Sequence, residues 1–122
     1  MKILILEDSE ERCVHFRRNL CDCKLMIVDK ANHAINELKK GDWDVLFLDH
    51  DLGGETYVDV DNKNTGSEVA RFLNDNKDRI PRCVVIHSLN AGGQDYMKLL
   101  LPDAVIYPFA WLKVKSSMFI EQ

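Results

Sequence analysis

The sequence predicts an α/β fold: a flavodoxin-like three-layer sandwich with helices on both faces of a five-stranded parallel sheet, in the strand order 2-1-3-4-5. Three observations carry this. Short apolar runs at residues 3–6, 25–28, 45–48, 83–86 and 104–106 show no polar alternation, as strands buried on both faces do. Between them, apolar residues recur at intervals of three and four, the period of a helix with one buried side. Strand and helix signals alternate along the chain, which favours right-handed crossovers and a parallel sheet. With 122 residues the chain reads as one domain, 1–122, long enough to build a core without disulfide or metal support.

Composition limits the function classes. A net charge of -4 gives no general attraction to nucleic-acid backbones or anionic membranes, so no extended nucleic-acid groove is expected and a phosphate ligand must be captured locally. No apolar stretch approaches the roughly 20 residues needed to span a bilayer, and the run after Met1 and Lys2 is too short for a signal-peptide core. Cytoplasmic placement is the expectation. Cys13, Cys21, Cys23 and Cys83 then read as thiols; the Cys21-Asp22-Cys23 spacing lacks the two-residue gap of common zinc and redox motifs, and small buried apolar residues is the preferred reading.

Taken in order, residues 3–6 form the first strand and end in Glu7-Asp8. Ser9 looks like a helix cap, Glu10 and Glu11 suit a first helical turn, and Cys13, Phe16 and Leu20 make an apolar stripe. Arg12 either reaches back over the strand end or pairs on the helix surface with Asp8 or Glu11. After the run at 25–28, Ala31, Ala34, Ile35 and Leu38 share one helical face, and Lys39-Lys40-Gly41 should close that helix, with Gly41 in the left-handed conformation. The run at 45–48 ends in Asp49-His50-Asp51-Leu52-Gly53-Gly54, whose glycines either let a ligand approach the backbone or simply make a turn. Residues 55–64 form a long polar loop, a lid or binding loop by its length, and Lys63 spoils a calcium-loop reading. Thr65 and Glu68 have capping-box spacing, so a helix begins there with Val69, Phe72 and Leu73 inward. The run at 83–86 ends in His87-Ser88-Leu89-Asn90, and Gly92-Gly93 lead into a helix stopped by Pro102. After the fifth run and Tyr107-Pro108, a last helix is expected to be short or absent over 110–122.

Strand ends one, three and four thus gather Glu7, Asp8, Asp49, His50, Asp51, His87, Ser88 and Asn90 at one rim of the sheet, where open α/β folds bind ligands. Crowded carboxylates repel unless a cation sits among them. Glu7, Asp8, Asp49 and Asp51 are the candidate ligands; their oxygens suit Mg2+ or Mn2+, and nearby histidines widen the choice toward Mn2+ or other transition ions. His50 and His87 are candidate proton carriers around Asp49, and Ser88, Asn90 and Arg12 candidate phosphate-binding groups. The plainer alternatives are solvated acidic strand ends and, for His87, a satisfied buried imidazole.

The chain resembles a response-regulator receiver domain, CheY-like, over nearly its full length. An acidic pair after strand one matches Glu7-Asp8, a phosphoaccepting aspartate matches Asp49, and Ser88 matches the threonine or serine after strand four. It departs from that pattern at Tyr107, where receivers carry a lysine that contacts the phosphoryl group. Leu6-Glu7-Asp8 with Arg12, Leu48-Asp49-His50-Asp51-Leu52, Thr65-Gly66 and His87-Ser88-Leu89-Asn90 are similar instead to the cyclic-phosphate processing receiver domains. That resemblance implies a metal-dependent phosphoesterase, a cyclic phosphodiesterase whose substrate is a phosphate-containing small molecule or an RNA end. The receiver resemblance implies the alternative, phosphorylation of Asp49 by a histidine kinase in a phosphorelay. A degenerate interaction module is the third reading. Neither the substrate nor the oligomeric state is legible in the sequence.

Overall fold

Alternation along the strands builds the layers. The computed structural model describes residues 1–53 and 58–107. Its sheet contains β1 (Lys2–Leu6), β2 (Lys24–Val28), β3 (Val45–Leu48), β4 (Cys83–Ile86) and β5 (Val105–Ile106), all parallel, in the order β2-β1-β3-β4-β5. The helices are α1 (Glu10–Asn19), α2 (Ala31–Lys40), α3 (Gly66–Asp75) and α4 (Ala91–Leu100), with a 3-10 turn at Lys77–Arg79. This is the predicted flavodoxin-like fold. The predicted short or absent last helix, the 110–122 segment, Pro108 and the loop residues 54–57 lie outside the described residues.

Successive strand side chains point to opposite faces. Ile3, Ile5, Val45, Phe47 and Val85 therefore meet Phe16 and Leu20 on one side, while Leu4, Leu6, Leu46, Leu48, Val84 and Ile86 meet residues of α2, α3 and α4 on the other. β1 and β3 are buried on both faces, as their unbroken apolar runs require. β2 and β5 are the edge strands, and Met26 on β2 is exposed.

Local signals hold at most helix ends. Ser9 Oγ accepts from the Arg12 amide and Thr65 Oγ1 from the Glu68 amide. Only half of the capping box forms as expected, because the Glu68 carboxylate faces Arg71 at 2.8 Å. Gly41 corrects another expectation: its backbone is extended rather than left-handed, so α2 ends with the chain running straight on toward β3. The cysteines also differ from expectation. Only Cys13 is buried; Cys21 is exposed, and Cys23 and Cys83 are half-buried.

The long loop is fastened to the helices by several contacts. Arg71 on α3 donates to the carbonyls of Val60 at 2.6 Å and Asn62 at 3.4 Å, while Asp59 and Asn62 turn their side chains to loop amides at 2.9 and 2.8 Å. Asn64 Oδ1 accepts from the Ala31 amide at 3.0 Å, and so caps α2, whose own N-cap residue Lys30 makes no side-chain cap. Losing a cap oxygen costs about 1 kcal/mol. Asn64→Ala should lower stability by about that amount and release the first turn of α2, read as faster amide exchange at Ala31 to Ala34 than in the parent chain. Unchanged exchange there would show that water replaces the cap.

Candidate active site at the carboxyl edge of the sheet

Strand register brings three polar residues abreast. Leu6, Leu48 and Ile86 are neighbours across β1, β3 and β4, and the ladder continues one residue further: Asp49 N–H bonds to Leu6 O at 3.2 Å and His87 N–H to Leu48 O at 3.0 Å. Each of the next residues lies two positions after a side chain on the α1 face, in the series Ile3-Ile5-Glu7, Val45-Phe47-Asp49 and Cys83-Val85-His87. Glu7, Asp49 and His87 therefore point the same way, and all three are buried. One donor atom from each lies within 4.8 Å of the others. Two carboxylates and an imidazole so placed form a donor set that fits a divalent cation.

Glu7 is held at both oxygens. Oε2 accepts from the amides of Asp8 at 3.1 Å and Ser9 at 3.0 Å, while Oε1 lies 2.9 Å from His87 Nε2 and 3.4 Å from Arg12 Nη1. The same guanidinium nitrogen is 3.6 Å from Asp49 Oδ2, so of the roles open to Arg12 it takes the reach back over the strand end. Phe16 and Phe47 set their rings edge-on to His87, with centroids 5.4 and 6.1 Å away.

Electrostatics divide the two carboxyl groups. Burial and then the Glu7 charge push Asp49 up to about 8, against the opposing pull of Arg12 and the His50 amide. Burial pushes Glu7 the other way from where it settles: the bond and charge of His87, the Ser9 amide and Arg12 outweigh it and hold Glu7 below the usual range. Burial lowers His87, against its bond to Glu7. These shifts favour, at neutral pH, an ionised Glu7 accepting a hydrogen bond from neutral His87, beside a protonated Asp49.

A second group sits apart from these. His50, odd by one from Asp49, turns toward α4 on the opposite face. Its Nδ1 lies 2.9 Å from Asp51 Oδ1, which also accepts from Asn90 Nδ2 at 3.0 Å and the Val58 amide at 3.0 Å. Asn90 Oδ1 caps α4 at Gly93, and the Asn90 amide donates to Ser88 Oγ. This group ties the loop after β3 to the start of α4.

The predicted residues therefore separate into two sets. Glu7, Asp49, His87 and Arg12 come together, and Asp8 adjoins them by its backbone contact to Glu7. His50, Asp51, Ser88 and Asn90 form the other set. The resemblance had matched Ser88 to the receiver threonine or serine; the register instead sets His87 beside Asp49. Next to His87 comes Tyr107, whose amide bonds to Ile86 O at 2.8 Å and whose side chain packs on the α1-side core. The aromatic frame of Phe16 and Phe47 went unpredicted, although strand alternation already placed Phe47 on this face.

Comparison with known proteins agrees with this architecture. The family model described as cyclic-phosphate processing receiver domain matches residues 2–103. No curated protein matches the chain. Among solved structures, the receiver domain of Francisella response regulator 1452 superimposes with a TM-score of 0.66 at 13% identity, covering 91% of this chain and 85% of that one. The Thermotoga maritima response regulator TrrA, solved in complex with Mg2+-BeF, gives 0.64 at 15% identity over 88% and 87% of the two chains. A CheY-like receiver domain protein from Methanospirillum hungatei JF-1 gives 0.64 at 14% identity over 88% and 81%. Likeness at such identities speaks to the fold alone. No helix among the described residues is long and apolar enough to cross a membrane.

Proposed function

This chain belongs to the cyclic-phosphate processing receiver domain family, and from that premise we propose that it opens cyclic phosphates of nucleotides or RNA ends with the help of a divalent cation. The observation that carries the reading is the buried Glu7-Asp49-His87 cluster with Arg12 over it, at the edge where such sheets bind ligands. Glu7, Asp8 and Asp49 would hold Mg2+ or Mn2+. The ion supplies Lewis-acid stabilisation of charge developing on phosphate oxygens.

The chain's own residues supply the rest. Arg12, whose side chain is partly exposed, would take a non-bridging phosphate oxygen. Ring opening forms a bond from a water oxygen to phosphorus and breaks one bond from phosphorus to ribose oxygen; a proton from the water ends on the released oxygen, leaving a phosphomonoester and a free ribose hydroxyl. Of the two imidazoles expected to carry protons, His87 lies at the cluster, so the proton for the leaving oxygen passes by it or by water. His50 instead supports the loop and the start of α4.

The test is phosphorus NMR of a 2′,3′-cyclic nucleotide incubated with the chain and Mg2+ or Mn2+. Metal-dependent conversion to a monoester is expected, with a loss of roughly 100-fold or more in Asp49→Asn. If the cyclic resonance persists while a small phosphodonor gives an acyl phosphate on Asp49, the phosphorelay reading replaces this one. The proximity of Arg12 to Asp49 favours that alternative to the extent that it restores a cation where Tyr107 has removed one.

A further inference from the structure

We propose that His87 is itself a metal ligand: Glu7, Asp49 and His87 form a site of two carboxylates and one imidazole that takes a first-row transition-metal dication in preference to Mg2+. The inference rests on the metal-dependent reading above and deepens it. It changes the ligand set expected from the acids alone, and it takes His87 out of proton transfer.

Donor spacing supports it. Ligand atoms about 2.1 Å from a shared ion and at right angles to one another lie about 3 Å apart. His87 Nε2 and Glu7 Oε1 are already 2.9 Å apart. An ion would replace their hydrogen bond, standing to one side of the line that joins the two atoms, with the ring proton moving to Nδ1 so that the Nε2 lone pair is offered. The second Glu7 oxygen is occupied by two backbone amides, which leaves Oε1 to face the imidazole.

The ring is also prepared for that role. His87 is fully buried, so folding has already stripped water from it, and Phe16 and Phe47 both pack edge-on against its ring. The three donors come from the ends of three adjacent strands, which gives them a common rigid frame. Selectivity follows from donor chemistry. Mg2+ prefers oxygen ligands and retains its waters, whereas an imidazole nitrogen favours Mn2+ and the later ions of the series.

Arg12 bears on the same site from above. Its guanidinium lies near Glu7 Oε1 and Asp49 Oδ2, the oxygens an ion would use, so the ion and the arginine compete for them. Arg12→Ala should therefore tighten metal binding.

The experiment titrates the full chain with Mn2+, followed by electron paramagnetic resonance, and records spin-echo modulation from directly bound nitrogen. The parent chain and His50→Gln should both show imidazole nitrogen on Mn2+, and His87→Gln should lose it. Competition should favour Mn2+ over Mg2+ by about tenfold or more in the parent chain, and that preference should shrink in His87→Gln. Mn2+ bound with no nitrogen coupling in the parent chain overturns the assignment of His87 while leaving the metal-dependent reading intact; the parent spectrum decides this even if a variant fails to fold. Coupling that survives His87→Gln and disappears in His50→Gln overturns it in favour of the other imidazole. Absence of Mn2+ binding to the parent chain overturns both this inference and the metal-dependent reading.

Discussion

Gly66→Ala is expected to lower the melting temperature by roughly 10 °C or more, because no small adjustment can admit the new methyl group. A Cβ at position 66 would stand 2.1 Å from the Asp49 carbonyl oxygen and 2.8 Å from Met97 Sδ. The first obstacle is backbone. Gly66 opens α3 directly behind the end of β3, with its amide bonded to His50 O, so relief requires either α3 or the strand end to move. Overpacking of this kind costs about 1 to 3 kcal/mol or more, and here the displaced segment carries the central residue of the site. Any folded fraction should therefore bind Mn2+ more weakly than the parent chain. Gly92→Ala is the control. Its Cβ would meet nothing nearer than Asn90 Oδ1 at 3.6 Å, and alanine there should hold or raise stability. Thermal unfolding of both variants by circular dichroism checks the pair, and equal melting temperatures would refute the backbone-contact argument.

Asp49→Asn should abolish metal binding and yet stabilise the metal-free chain, increasingly as pH rises. Asp49 titrates at about 8 in the folded chain and near 3.8 in its ordinary state. Between those values the native chain holds a proton that the unfolded chain has released. Stability from this group is complete below the unfolded value, falls with rising pH by up to about 1.4 kcal/mol per unit, and is gone once pH passes the folded value. Asparagine removes this falling limb. Its Oδ1 can keep the His50 amide bond and its NH2 can donate to Glu7. His87, lowered by burial, contributes the opposite slope as pH rises toward its ordinary value, but it does so in both proteins and cancels in the comparison. Urea unfolding with a chelator at pH 5, 6, 7 and 8 should show the asparagine variant gaining on the parent at each step, by about 2 kcal/mol or more in total. Parallel stabilities would mean that Asp49 is ionised in the folded chain at neutral pH. Adding Mn2+ should then raise the stability of the parent and leave the variant unchanged.

The residues differ in how far the sequence alone could place them. Asp49 announces itself because an ionisable group directly follows the buried run Val45–Leu48. Glu7 and His87 do so for the same reason. The period of two even carries enough information to separate His87 from His50, since one follows Val85 and the other Leu48 by two positions, on opposite faces of the sheet. A shared rim does not carry that distinction; the alternation along each strand does. Arg12 was different, because helical spacing allowed both a surface pair and a reach over the strand, and only the packing of α1 on the sheet selects the second.

Local periodicity and short-range breaks suffice for the set of elements, their alternation along the chain, which favours a parallel sheet, and the polar strand ends on which a site is built. Only the packed chain shows which strand-end groups meet, that Asn64 caps a helix it is 33 residues away from, and that Gly93 is pinned against the His50 ring while its neighbour Gly92 is not. Those outcomes depend on distances between segments that no local pattern encodes: a methyl group or a cap oxygen matters only once another part of the chain has been brought to within a few ångströms of it.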